Sequence, residues 1–88
     1  MPKPKLTQAE TLFRKLLKDL RQDKNLTQTQ LAERLGLPQS YVSKYEAGER
    51  RLDFVETLFL CNTLGIGIED FTKVFTAELG KTGRRKRG

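Results

Sequence analysis

The stretch QTQLAERLGLPQSYVSKYE, Gln28 to Glu46, decides the fold of this chain. Ala32 is small where one helix must come close to another. Gly36, four residues on, supplies the positive φ of a tight turn. Val42, six residues further, is a stiff β-branched plug facing back onto the first helix of the pair. Leu31, Leu35, Leu37 and Tyr45 fill the remaining inward positions. This spacing predicts two helices set steeply about a short turn, the helix-turn-helix. Thr27 and Gln30 form a capping-box pattern at the entry, and Gly36 stands where a left-handed cap belongs. The second helix of the pair is expected from Gln39 to Ala47, stopped by Gly48.

Outward from this pair, helical spacing continues in both directions. Phe13, Leu16, Leu17 and Leu20 mark a helix from about Gln8 to Asp23, with Thr7 and Glu10 as its capping box. Asp53 and Glu56 open a fourth helix, with Phe54, Leu58, Cys61 and Leu64 as its apolar stripe and Gly65 as its stop. A fifth, from about Ile68 to Leu79, carries Phe71, Val74, Phe75 and Leu79. No segment alternates with period two long enough to make a strand. The expected fold class is all-α, five helices with short connections. Residues 1–6, with two prolines and two lysines, read as a flexible arm, 7–79 as the domain and 80–88 as a basic disordered tail.

Composition narrows the function. The 88 residues carry 17 Lys+Arg, 11 Asp+Glu, no histidine and one cysteine. Without histidine, and with a lone cysteine, Ser-His, Cys-His and zinc enzymes are excluded, and no metal or cofactor is expected. No apolar run reaches the roughly 20 residues of a membrane span, and no secretory signal opens the chain. Of the net charge of +6, the tail holds +5, through Lys81, Arg84, Arg85, Lys86 and Arg87. A basic tail suits a polyanion or merely solvates, so nucleic-acid binding must be argued from the body of the chain.

With LLKDLRQDKNLTQTQLAERLG (Leu16–Gly36), YVSKYEAGERRL (Tyr41–Leu52) and LGIGIEDF (Leu64–Phe71), the chain resembles the Cro/repressor, Xre-like helix-turn-helix family, which includes the lambda repressor DNA-binding domain. The resemblance runs from Phe13 to Phe71. It implies a compact five-helix lambda-repressor-like domain that reads operator DNA with its third helix. It also implies base contacts from Gln39 and Ser40, a phosphate against Gln28, and a partly buried ion pair between Arg21 and Glu46. Pro38 departs from the family's usual Ser or Thr cap, and Leu52 from its usual proline.

The chemistry of the third helix agrees. With Val42, Tyr45 and Glu46 turned inward or aside, its outward face is Gln39, Ser40, Ser43, Lys44 and Ala47. Gln39 can hold adenine through two hydrogen bonds, Lys44 can donate to guanine, the serines do either, and Ala47 can meet a thymine methyl. Phosphate contacts are expected from Thr27 and Gln28 at a helix start, from the Tyr41 hydroxyl, and from Arg50 and Arg51 in the following loop. Cys61 is expected to be a buried, inert thiol, and Phe13, Phe54, Phe71 and Phe75 to be core.

The expected function is a DNA-binding transcriptional regulator, a repressor acting in the cytoplasm on the nucleoid, with duplex DNA as partner and no small-molecule ligand. The alternative is a protein-interaction module, such as an antitoxin or a bridging cofactor. The polar, acid-free face of the third helix argues against that. A phosphodiester-cleaving enzyme would need clustered carboxylates, and Glu69 and Asp70 more simply cap the fifth helix. One such domain covers half an operator, so a homodimer is expected through Val74, Phe75 and Leu79 with Phe59, the alternative being that Leu6, Ala9 and Leu12 of the first helix cover the fifth within one chain.

Overall fold

A computed structural model describes residues 5–84, with side chains as far as Lys81. Five helices follow one another: α1 Leu6–Asp23, α2 Gln28–Leu35, α3 Gln39–Ala47, α4 Phe54–Thr63 and α5 Ile68–Arg84. The architecture is the expected all-α five-helix domain. The α2–α3 pair packs on α1 and α4, and α5 closes the far side against α1 and α4.

Local chemistry sets the helix ends. The Thr27 hydroxyl accepts from the Gln30 N–H at 3.0 Å, while the Gln30 side chain accepts from the Thr27 N–H at 2.9 Å. Asp53 and Glu56 repeat this reciprocal cap on α4 at 2.8 and 2.9 Å. Gly36 takes φ +71°, and the N–H of Leu37 then reaches back to the Ala32 carbonyl at 3.0 Å. That closure turns the chain from α2 into α3 within three residues.

The core forms where the helix-turn-helix spacing placed it. Leu17, Leu31, Val42 and Tyr45 are fully buried, Ala32 is 2% exposed, and Leu60, Cys61 and Leu64 of the α4 side complete the contact. Phe71 joins them, and the Phe13 ring meets Phe71 edge-on at 5.9 Å. Phe75 stacks on Phe71 at 6.2 Å and also meets Phe13 at 5.9 Å.

Five expectations are corrected. First, α1 starts at Leu6, not Gln8, because Gln8 bonds the Lys5 N–H at 2.9 Å; Thr7 lies inside the helix and Glu10 is free for another partner. Second, beside the expected Cys61 and Leu64 the α4 side buries Thr57 and Leu60, whereas Leu58 is only half-buried. Third, Phe54, its first residue, overhangs the packed span and is 68% exposed, so it is not core. Fourth, Leu37 is 42% exposed, since its task in the turn falls to its backbone. Fifth, α5 does not stop at Leu79. The segment expected to be a disordered tail is helical through Arg84, and Arg85 to Gly88 lie outside the described residues.

Candidate nucleic-acid interface

Helix α3 is held from behind by Val42 and Tyr45, both fully buried, and its front is left to solvent. Gln39, Ser40, Lys44 and Ala47 are exposed there. Ser43 is half-buried, and its hydroxyl donates to the Ser40 carbonyl at 3.2 Å. The five side chains thus share one face of a rigidly seated helix, as the periodicity predicted, and none is acidic.

A chain of hydrogen bonds runs from the core to this face. Arg21 on α1 grips Glu46 on α3 with a two-pronged contact, Nε to Oε2 at 2.8 Å and Nη2 to Oε1 at 3.0 Å. Its Nη1 donates to the Leu26 carbonyl at 2.7 Å. Both side chains are nearly out of solvent, at 9% and 5% exposure, so neither charge would be tolerated without the other. The hydrogen bonds to Glu46 raise the Arg21 pKa further. Gln28 Nε2 then donates to Glu46 Oε1 at 2.9 Å, and Gln39 Nε2 donates to Gln28 Oε1 at 2.9 Å.

The direction of this relay follows from chemistry. A carboxylate only accepts, so the nitrogen of Gln28 must face Glu46. The oxygen of Gln28 must then face Gln39, which presents its own nitrogen. What remains of the Gln39 amide is one N–H and the whole of Oε1. That pair complements N7 and N6–H of adenine in the major groove. The sequence reading paired Arg21 with Glu46 but assigned Gln28 and Gln39 separately, and missed that the four form one line. The signal available was a polar Glu46 on a flank otherwise given to packing, with two amides within one helix-turn-helix.

The expected phosphate ligands are arranged differently from one another. Thr27 is occupied by its cap, and Gln28 keeps one side-chain N–H beyond the relay. The backbone N–H groups of Gln28 and Thr29 open α2 without an intrahelical acceptor. Tyr41 and Arg50 gather around Glu56. The Tyr41 hydroxyl donates to Oε2 at 3.1 Å, Arg50 Nη1 lies 2.8 Å from the same oxygen, and the guanidinium sits 4.7 Å above the Tyr41 ring. Burial, then the bond to Glu56, push the Tyr41 pKa up to about 12, so it stays a donor at neutral pH. Bonding to the Asp53 N–H, then to Arg50 and Tyr41, holds Glu56 below the usual carboxylate range. Arg51 points elsewhere, its Nη2 2.8 Å from Glu10 Oε2 on α1. Glu56 read only as a cap in the sequence, and Glu10 was assigned to a cap it does not make.

Cys61 is fully buried, and burial alone pushes its thiol up to about 11, which keeps it protonated and inert. Among the described residues no cluster of three or more Cys, Asp or Glu could hold a metal, and no helix is long and apolar enough to cross a membrane.

A five-helix domain whose third helix is bolted down from behind and offers a polar, acid-free face is a helix-turn-helix DNA-binding domain. The family described as Helix-turn-helix (HTH_3) matches residues 17–71, more than half of the chain, and the chain belongs to it. An XRE-family like protein from Pseudomonas syringae pv. tomato str. DC3000 is 37% identical, with a TM-score of 0.75 over 80% of this chain and 85% of that one. The restriction-modification controller protein C.Esp1396I shares the fold at 23% identity, with a TM-score of 0.76 over 83% of this chain and 95% of its own. So does the clp gene regulator ClgR from Corynebacterium glutamicum, at 22% identity and a TM-score of 0.73 over 92% and 83%. No curated protein matches the chain significantly. The family is one of DNA-binding domains similar to transcriptional regulators, not of enzymes.

Proposed function

We propose that the protein is a sequence-specific transcriptional regulator, acting as a repressor by laying α3 along the major groove of operator DNA. The observation that carries this reading is the relay from Arg21 to Gln39. It fixes the amide of an exposed glutamine in a base-reading orientation, which a solvating side chain does not need. Gln39, Ser40, Ser43 and Lys44 supply base contacts. The start of α2 with Thr27 and Gln28, the Tyr41 hydroxyl, and Arg50 and Arg51 supply phosphate contacts. The last three exchange Glu56 and Glu10 for phosphates. Surface pairs of this kind are worth roughly 0–1 kcal/mol, so the exchange meets little resistance. On this reading the protein acts in the cytoplasm, with the nucleoid.

A second copy of the chain completes the reading. C.Esp1396I binds its 35-base-pair operator as a tetramer. Here the apolar residues left in solvent are chiefly on α4, with Phe54, Val55 and Phe59 each at least 60% exposed, while Val74 on α5 is 45% exposed. Phe75 packs on Phe13 and Phe71 within the chain. Of the α5 residues expected to pair, Val74 is exposed while Phe75 and Leu79 are half-buried, so the dimer face is drawn through Val74 and the exposed α4 residues. The same exposed α4 residues are what favours the alternative, a protein-binding module such as an antitoxin or a bridging cofactor. Selection of bound sites from random duplexes tests the main reading. An enriched motif whose preference at one base pair is lost with Gln39→Ala is the expected result. No enrichment, or an unchanged motif, refutes it.

A further inference from the structure

Arg14 belongs neither to the exposed face of α3 nor to the relay behind it. It lies on α1, and its guanidinium rests against Gly48 in the α3–α4 connection. A Cβ placed on Gly48 would stand 3.0 Å from its Cζ, 3.1 Å from Nη2 and 3.2 Å from Nε. Gly48 takes φ +82°, so the backbone itself presents this bare surface. Arg14 is half-buried, and among the described residues no carboxylate lies within ion-pairing distance of it. Arg21, Arg50 and Arg51 each have an acid. A guanidinium partly withdrawn from water and given no anion favours one that arrives.

The space for an anion is present. A cleft of about 180 Å³ opens beside Arg14, walled by Arg50, Arg51 and Glu10, with Phe13 and Leu52 as its apolar lining. Three arginines and one glutamate line it, and Arg50 has its guanidinium on Glu56, which leaves Arg14 and Arg51 as the cations beside Glu10. The volume falls short of the roughly 300–1,000 Å³ of a drug-sized ligand site and suits a small oxyanion. Glu10 is the natural counter-ion to displace, since its contact with Arg51 is exposed, with 79% of the arginine side chain and 31% of the glutamate side chain in solvent. Such a pair holds Arg51 loosely. Arg14 and Arg51 both line the cleft, and a guanidinium fork suits the bidentate contact that a tetrahedral oxyanion prefers.

We propose that this cleft is a phosphate-binding site, with Arg14 and Arg51 as its cations and Glu10 as the counter-ion that phosphate displaces. The cleft is walled by the loop that follows α3, so the phosphate at hand is one of the DNA backbone. In that respect alone the proposal rests on the DNA-binding reading. It extends the phosphate-contacting surface from the helix-turn-helix onto α1 and makes Glu10 a built-in brake on affinity.

The test has two arms. Duplex affinity is measured against salt for the wild type, Arg14→Gln, Arg14→Lys and Glu10→Gln, with thermal melts confirming that each variant folds. The wild type and Arg14→Gln are also titrated with inorganic phosphate while the arginine Nε–H resonances are followed by NMR. Arg14→Gln is expected to weaken binding to all duplexes alike, by about 3- to 10-fold, and to lower the salt slope by about one. Arg14→Lys should recover part of this, and Glu10→Gln should tighten binding. If duplex affinity ignores all three substitutions but phosphate shifts the Arg14 and Arg51 signals saturably, and Arg14→Gln abolishes the Arg51 shift, the site stands with free phosphate as its ligand. That outcome also holds if no duplex binds, which separates this proposal from the regulatory reading. Unchanged affinity together with no saturable shift overturns it.

Discussion

The relay makes a quantitative claim, that Gln28 contributes to base recognition through Gln39. The perturbation is a double-mutant cycle of Gln28→Ala and Gln39→Ala on the best selected duplex. Gln39→Ala removes a two-bond contact to a base, worth roughly 1–3 kcal/mol. Gln28→Ala leaves that contact possible but frees the Gln39 side chain, whose amide is now held at 2.9 Å. Ordering a free glutamine on binding costs about 0.5–1.5 kcal/mol, a factor of roughly 2 to 12 in Kd. Gln28→Ala also removes any phosphate contact of its own, but that loss is common to both backgrounds and cancels. The coupling energy should therefore equal the ordering term, about 0.5–1.5 kcal/mol, and should vanish on a duplex whose base at that position is not read. The assay is equilibrium binding at fixed salt on both duplexes. Losses that add to within about 0.3 kcal/mol would show that the two amides act independently and that the relay does not serve recognition.

Other expectations follow from the same contacts. Tyr45 is fully buried and its hydroxyl has no hydrogen-bond partner, so Tyr45→Phe should stabilise by about 1 kcal/mol and raise Tm by roughly 4–8 °C in a thermal melt. A fall in Tm would mean the hydroxyl is satisfied. Glu56 has a lowered folded pKa, so its charge stabilises above the unfolded carboxylate value and that contribution is lost as pH falls through the folded one. Glu56→Gln should thus be less stable than wild type by under about 1 kcal/mol at pH 7 and equal to it in acid; a gap that persists at pH 2 would contradict this. Phe59→Glu should shift sedimentation from dimer to monomer without lowering Tm, whereas Phe75→Glu, placed among Phe13 and Phe71, should unfold the chain. A folded, dimeric Phe59→Glu variant would remove α4 from the interface.

What the sequence disclosed, and what it withheld, divides along a physical line. Features written in local chemistry were legible. The cap at Thr27 and Gln30, the left-handed turn at Gly36 and the inward plugs Val42 and Tyr45 each depend on neighbours within a few residues, and α3 runs from Gln39 to Ala47 as expected. The inward face of α4 was not legible, because Phe54, Val55, Leu58, Phe59, Leu60 and Cys61 place apolar groups on several sides of one short helix. Periodicity cannot choose among them, and only packing against α2 and α5 selects Thr57, Leu60, Cys61 and Leu64. The start of α1 was missed for a related reason. Two capping patterns compete there, and Gln8 closes on Lys5 while Glu10 is drawn away to Arg51, 41 positions on in the chain. In the site, the residue types on α3 were readable from spacing. The partners that orient or restrain them were not, since Arg21, Gln28, Glu56 and Glu10 come from other helices. Those partners set which atom of Gln39 faces out and hold Arg50 and Arg51 on acids, and it is on them that the proposed reading of bases and phosphates rests.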